Sequence, residues 1–170
     1  MKKVIGITSE SDQNFVMEWN TWVPKKVNIF MWKDEIGIIA TLKALERRNI
    51  NVGSLVCRIC EDGDKSSEHL LTSCYFATVI WNLVSNWCEV RPIYPFSIRD
   101  LTDAHKYMNV DTGKRKVIQG IIYTTCWVIW KTRNNQIFNN KIEPISKTME
   151  SIKALGFLWI NNRLSYKTLS

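Results

Sequence analysis

No stretch of this chain is apolar for long enough to cross a bilayer. The most apolar run, VIQGIIYTTCWVIW at residues 117 to 130, is fourteen residues long, contains a glutamine and two threonines, and has basic residues on both sides. A membrane helix needs about 20 residues, so a core segment is expected here and no membrane partner. The opening MKKVIGITSESDQ has a basic tip but only a short apolar patch. It lacks the h-region of a secretory signal, and an intracellular location is expected.

A disulfide framework is missing as well. The cysteines number five, an odd count, and in a reducing compartment clustered thiols point to metal rather than to bridges. Cys88 and Cys126 stand apart, among apolar neighbours in NWCEV and TTCWVIW, and read as small buried hydrophobes. Internal repeats and low-complexity tracts are absent. So are a Walker loop, a GxSxG elbow and an HExxH helix, which removes the commonest signatures of an enzyme and leaves no small-molecule substrate to expect.

What is present is a globular composition: 170 residues, 45% hydrophobic, with eight tryptophans. That is enough for one domain, or for a small module followed by a helical part. Lys and Arg number 23 against 16 Asp and Glu, a net charge of +7. A basic balance favours a polyanionic partner such as RNA or DNA. The charge is spread along the chain in short clusters, including Lys25-Lys26, Arg47-Arg48 and Lys114-Arg115-Lys116, and such clusters also serve simply as solvated faces.

The patterning is helical. Residues 1–18 form a weakly patterned tail. In WNTWVPKKVNIFMW, Pro24 suits a first turn and Val27, Phe30 and Met31 recur at helical spacing, which predicts a helix over 24–36. Thr41 is placed to cap a short second helix with Leu42 and Leu45 inward and Asn49 near its end. Phe76, Val79, Ile80, Leu83, Val84 and Trp87 line one face of a helix over 74–87, with Ser73 available as its N-cap. Residues 91–113, with RPIYPF and a polar run, read as a connection, and His105 within it as an ordinary surface histidine. Beyond it, β-branched residues make a strand pair a competitor, but Ile118, Ile121, Ile122, Thr125, Val128 and Ile129 keep a 3.6-residue period long enough for a helix. Pro144 opens a last helix, with Ile145, Met149, Ile152 and Trp159 on one stripe. The expected fold is mainly α: a small zinc-stapled turn between helices, followed by a C-terminal helical segment. The expected units are the tail 1–18, a zinc-binding domain over 19–90, a linker over 91–113 and a helical region over 114–170.

The chemistry sits in CRICEDGDKSSEHLLTSC, residues 57–74. Its spacing is Cys57-x2-Cys60-x8-His69-x4-Cys74. Two cysteines two residues apart can both point inward from a tight turn, and the four side chains can reach one tetrahedral ion. Three soft thiolates and an imidazole select Zn²⁺ over Mg²⁺ or Ca²⁺, whereas an iron–sulfur cluster more usually takes four cysteines. With all four positions filled by protein, no site remains for water or substrate, so the zinc is structural. A zinc deaminase would have His-x-Glu followed by Pro-Cys-x-x-Cys, and here the order is reversed. Glu61, Asp62, Asp64 and Glu68 read as a solvated turn.

WNTWVPKKVNIFMW, TLKALERRNI, CRIC, SEHLLTSC, YFATVIWNLVSNW and VIWKTRNNQIFNN, in that order, resemble the zinc-binding domain downstream of the reverse transcriptase in plant LINE-type, non-LTR retrotransposons. The resemblance runs from about Trp19 to Asn140. It implies that Cys57, Cys60, His69 and Cys74 are the zinc ligands, and that Trp22, Phe30, Trp32 and Trp81 pack. The chain departs from the family where Lys33 and Ala40 stand for its usual Arg and Pro. The family's polymerase lies upstream, and no Tyr-x-Asp-Asp sequence occurs here. The chain therefore looks like the C-terminal part of a retrotransposon reading frame, with a reverse transcriptase as its context; a nuclear site would suit such a product.

Two functions are expected to compete. One is a nucleic-acid-binding accessory module in which Lys25, Lys26, Arg47, Arg48 and Arg58 contact phosphate and an exposed Trp stacks on a base. The other is a structural or protein-interaction domain in which zinc only stabilises the fold.

Overall fold

In the computed structural model, which describes residues 16–39, 49, 57, 59–62 and 66–168, the chain is mainly α-helical, with no strand among the described residues. It runs through α1 (Lys25–Glu35), a π-helical turn (His69–Ser73), α2 (Tyr75–Cys88), α3 (Ile98–Asp103), a 3₁₀ turn (Ala104–Tyr107), α4 (Thr112–Asn139) and α5 (Ile145–Thr168). The Cys/His cluster lies between α1 and α2, as a zinc-stapled turn requires. The short helix expected after Thr41 falls outside the described residues.

α4 is the hub: α1, α3, the π-turn, the 3₁₀ turn and α5 all pack on it. From Ile118 to Cys126 every residue is buried. A helix enclosed on all sides has no polar face to keep, which is why this β-branched stretch shows little amphipathic contrast. The hydroxyls inside it are satisfied locally: Thr124 Oγ1 donates to the Gly120 carbonyl at 2.7 Å and Thr125 Oγ1 to that of Ile121 at 2.8 Å. The helix opens on Asp111, whose side chain accepts from the Lys114 amide, and closes at Asn140 in the left-handed region.

Residues 16–24 carry no helix or strand and lie against α4. The Asn20 side-chain amide donates to the Lys116 carbonyl at 2.7 Å and to Gln119 Oε1 at 2.8 Å, while Gln119 Nε2 and the Tyr123 hydroxyl donate to the Glu18 carbonyl. The approach is close enough that a Cβ on Gly120 would stand 3.3 Å from Asn20 Oδ1. From there α1 descends along α4, and Phe30 packs its ring against both Trp127 and Trp130, with centroids 5.4 and 5.2 Å away. α5 closes the far side by burying Met149 and Ile152, with Ile145 and Trp159 half-buried on the expected stripe.

Several local expectations are corrected. Pro24 caps α1 from outside rather than forming its first turn. Ser73 does not cap α2; Cys74 stands at that N-cap position. Trp32 is 43% exposed rather than packed. Residues 91–113 hold α3, opened by a capping box in which Ser97 and Asp100 satisfy each other's amides. Leu101 of that helix is fully buried, and the apolar core runs unbroken from residues before this segment to residues after it. His105, expected at the surface, is only 2% exposed, with Nε2 3.3 Å from Glu18 Oε2. The capping box carries the chain inward, and a polar stretch of sequence gave no sign of that.

Candidate metal centre

Cys57, Cys60, His69 and Cys74 come together with one ligand atom each, all within 4.8 Å of one another. Bonds of about 2.3 Å to sulfur and 2.0 Å to nitrogen place tetrahedral zinc donors roughly 3.5–3.8 Å apart, so the set needs only a small contraction to close on the ion. Cys60 Sγ and His69 Nε2 are already 3.3 Å apart.

Each ligand is aimed by its local backbone. The amides of Cys60 and Ile59 point at the Cys57 sulfur, and the chain then turns sharply at Glu61, which takes the left-handed φ of 56°. The other pair depends on the π-turn. In an α-helix residues five apart point roughly 140° away from each other, because each step rotates the chain by about 100°. The wider π-turn brings the fifth residue back over the first. The Cys74 amide donates to the His69 carbonyl at 2.8 Å and closes it. The turn is pinned from inside by buried Leu70 and Leu71, and by Trp81 Nε1 donating to the Leu71 carbonyl at 2.8 Å. Cys74 sits at the N-terminus of α2, where the Phe76 amide faces its sulfur and unpaired N–H groups favour a thiolate.

His69 has a second contact, at the ring nitrogen turned away from the sulfurs. Nδ1 lies 3.1 Å from Ser73 Oγ, which can accept the Nδ1 proton when the Nε2 lone pair is given to a metal. Ser73, four residues after His69 and next to Cys74, is thus a supporting residue that sequence reasoning assigned to another task.

The electrostatics fit a dication. The Cys57 thiol is lowered to about 4, chiefly by the hydrogen bond from the Cys74 thiol and then by the two amides, against the opposing effect of burial. Cys74 is pushed up by that same bond, by burial and by the Cys57 charge. A cation bound between the two sulfurs would take the place of the proton in that bond and favour both thiolates. The cofactor this donor set takes is a structural Zn²⁺.

Of the sequence-derived basic residues, Lys25 and Lys26 are exposed at the start of α1, with Lys26 Nζ 5.6 Å above the Trp127 ring. Arg47, Arg48 and Arg58 lie outside the described residues. Cys126 is fully buried and Cys88 half-buried, both with thiols raised by burial and neither a member of the ligand set.

Residues 3–81 match the family described as zinc-binding in reverse transcriptase. All four ligands fall within that segment, which ends at Trp81, the residue that pins the π-turn. No curated protein and no solved structure matches the chain. No described helix is long and apolar enough to cross a membrane.

Proposed function

We propose that this chain is a non-catalytic accessory module of a reverse transcriptase of the plant LINE type, in which a structural zinc holds a basic helical surface that binds RNA or DNA. The observation that carries the reading is the closed Cys3His donor set lying wholly within the segment that matches the reverse-transcriptase zinc-binding family. A tetrahedral ion with four protein ligands has no open position for water, which supports a non-catalytic role. The net charge of +7 favours a polyanion. Lys25 and Lys26, exposed at the start of α1 with half-exposed Trp19 just before them, offer phosphate contacts beside a ring that can stack on a base.

The test is binding of labelled single-stranded RNA and duplex DNA to the zinc-loaded chain across a salt series. We expect affinity to fall steeply between about 50 and 200 mM salt, and Lys25→Glu with Lys26→Glu to flatten that slope by roughly two counterions. Binding that ignores salt, or none at all, rejects the reading.

A protein-interaction role has its own support. Ile29 and Trp32 on α1 and Ile36 at its C-cap recur at helical spacing, and all three are exposed, with Ile38 exposed just beyond. A chain that shows no nucleic-acid affinity yet retains zinc would favour this second reading.

A further inference from the structure

We propose that the cleft between residues 89–95 and the turn after α3 takes up an unpaired base of a single-stranded nucleic acid, stacked on Tyr94 and Tyr107. The inference rests on the nucleic-acid reading above and gives that partner a contact besides Lys25 and Lys26.

Two local anchors turn the rings outward. The Ile93 amide donates to Ser85 Oγ at 3.0 Å, and the Ile93 side chain is buried. Pro92 and Pro95 restrict the chain on either side of this anchor, and Tyr94 is left 62% exposed. Across the cleft the 3₁₀ turn is anchored by His105, buried against Glu18, and Tyr107 two residues on is 84% exposed. Both tyrosines line one cleft of about 520 Å³, a size that suits a nucleoside. Rings this exposed add little to the core, and their faces can stack on a base.

The charges beside the cleft favour a partner that carries phosphate. Arg91 lines it and is exposed. Arg115 Nη2 donates at 3.3 Å to the carbonyls of Met108 and Val110, two further lining residues, which sets a guanidinium at that edge. Lys114 and Lys116 flank Arg115 on α4, and both are exposed. Most carboxylates of this region already have a task. Asp100 Oδ2 accepts the Phe96 and Ser97 amides at 2.8 and 2.9 Å, Asp103 pairs with Lys106, and Asp111 caps α4. Glu89, on the lining, is the carboxylate that opposes phosphate. Cations beside exposed aromatic faces are what hold a single strand, because the cations follow the backbone and the rings accept any base. A duplex gains nothing from the rings, since its bases are stacked on one another.

The test is the affinity of the zinc-loaded full chain, at one fixed salt concentration, for a labelled mixed-sequence single strand, as RNA and as DNA, and for the matching duplex. Tyr94→Ala and Tyr107→Ala should each weaken single-strand binding about 5- to 100-fold and leave duplex binding unchanged. Tyr94→Phe and Tyr107→Phe, which keep the ring, should stay within about threefold of wild type. Wild-type single-strand affinity in the alanine variants, or a duplex affinity that falls in step, overturns the proposal. Should an alanine variant fail to fold, Tyr94→Leu and Tyr107→Leu keep apolar bulk without an aromatic face: the same loss supports stacking, and wild-type affinity rejects it. A wild-type chain that binds neither single strand nor duplex rejects the nucleic-acid reading as a whole, whereas one that binds the duplex alone rejects only the cleft.

Discussion

His69 is held by its neighbours on both sides, with Ser73 Oγ at Nδ1 and the Cys60 sulfur at Nε2. Replacing a ligand should therefore empty the site and also release the turn. Cys57→Ser and His69→Ala are each expected to lower zinc content from one per chain to near zero and to cost more than about 4 kcal/mol, the range where loss of a metal falls. Elemental analysis and denaturant unfolding in the presence of zinc check both. Asp34 offers a separate test. It is 3% exposed and neither carboxylate oxygen has a hydrogen-bond partner. Burial chiefly raises it to about 6; the nearby Ser67 hydroxyl draws it back in part, and the charges of Glu35 and Glu68 push it further up. The folded state then holds this proton more tightly than the unfolded state, so the contribution to stability is full below about pH 4 and is lost as pH rises through about 6. Asp34→Asn should stabilise the protein at pH 7.5 by on the order of 2–3 kcal/mol, with the advantage shrinking toward pH 4. An advantage independent of pH would show that the carboxylate is not the cause.

Among the elements, the π-turn is where function depends on local geometry. Its five residues, HLLTS, look like the end of an ordinary helix and carry no local mark of a wider turn. Two buried leucines and the indole of Trp81 hold the wider turn instead. Trp81→Phe keeps most of the apolar volume but leaves the buried Leu71 carbonyl without its donor, which costs about 1–3 kcal/mol. If the turn is what aligns His69 with Cys74, the same change should weaken zinc binding, whereas an unaltered dissociation constant would mean that the leucines suffice. α2 itself was legible from its apolar stripe, since Phe76, Ile80 and Val84 at that period are buried. Its cap was not, because a serine and a cysteine stand side by side and only packing decides which of them starts the helix.

For the whole molecule, α4 joins what the linear sequence divides. Phe30 of α1 meets Trp127 and Trp130 of α4, and Glu18 and Asn20 meet Gln119 and Tyr123 across about a hundred residues. A chain ending at residue 110 loses both sets. We expect it to show no cooperative unfolding transition by calorimetry, since Phe30 alone stands to lose about 3–5 kcal/mol of packing. A sharp transition in that truncated chain would mean that the first part holds its own core.

Ligand identity and helical class were set by the sequence itself. Thiolates and imidazoles at fixed spacing choose zinc by their softness, and a 3.6-residue apolar period chooses a helix, because both depend on residues close together in the chain. The tertiary structure alone decided that His105 is buried on Glu18, that a polar-looking connection folds into a capped helix, and that Ser73 serves the histidine ring. Each of these depends on which surfaces α4 brings into contact. Packing and charge compensation act through space between residues far apart in the chain, and no local pattern records them.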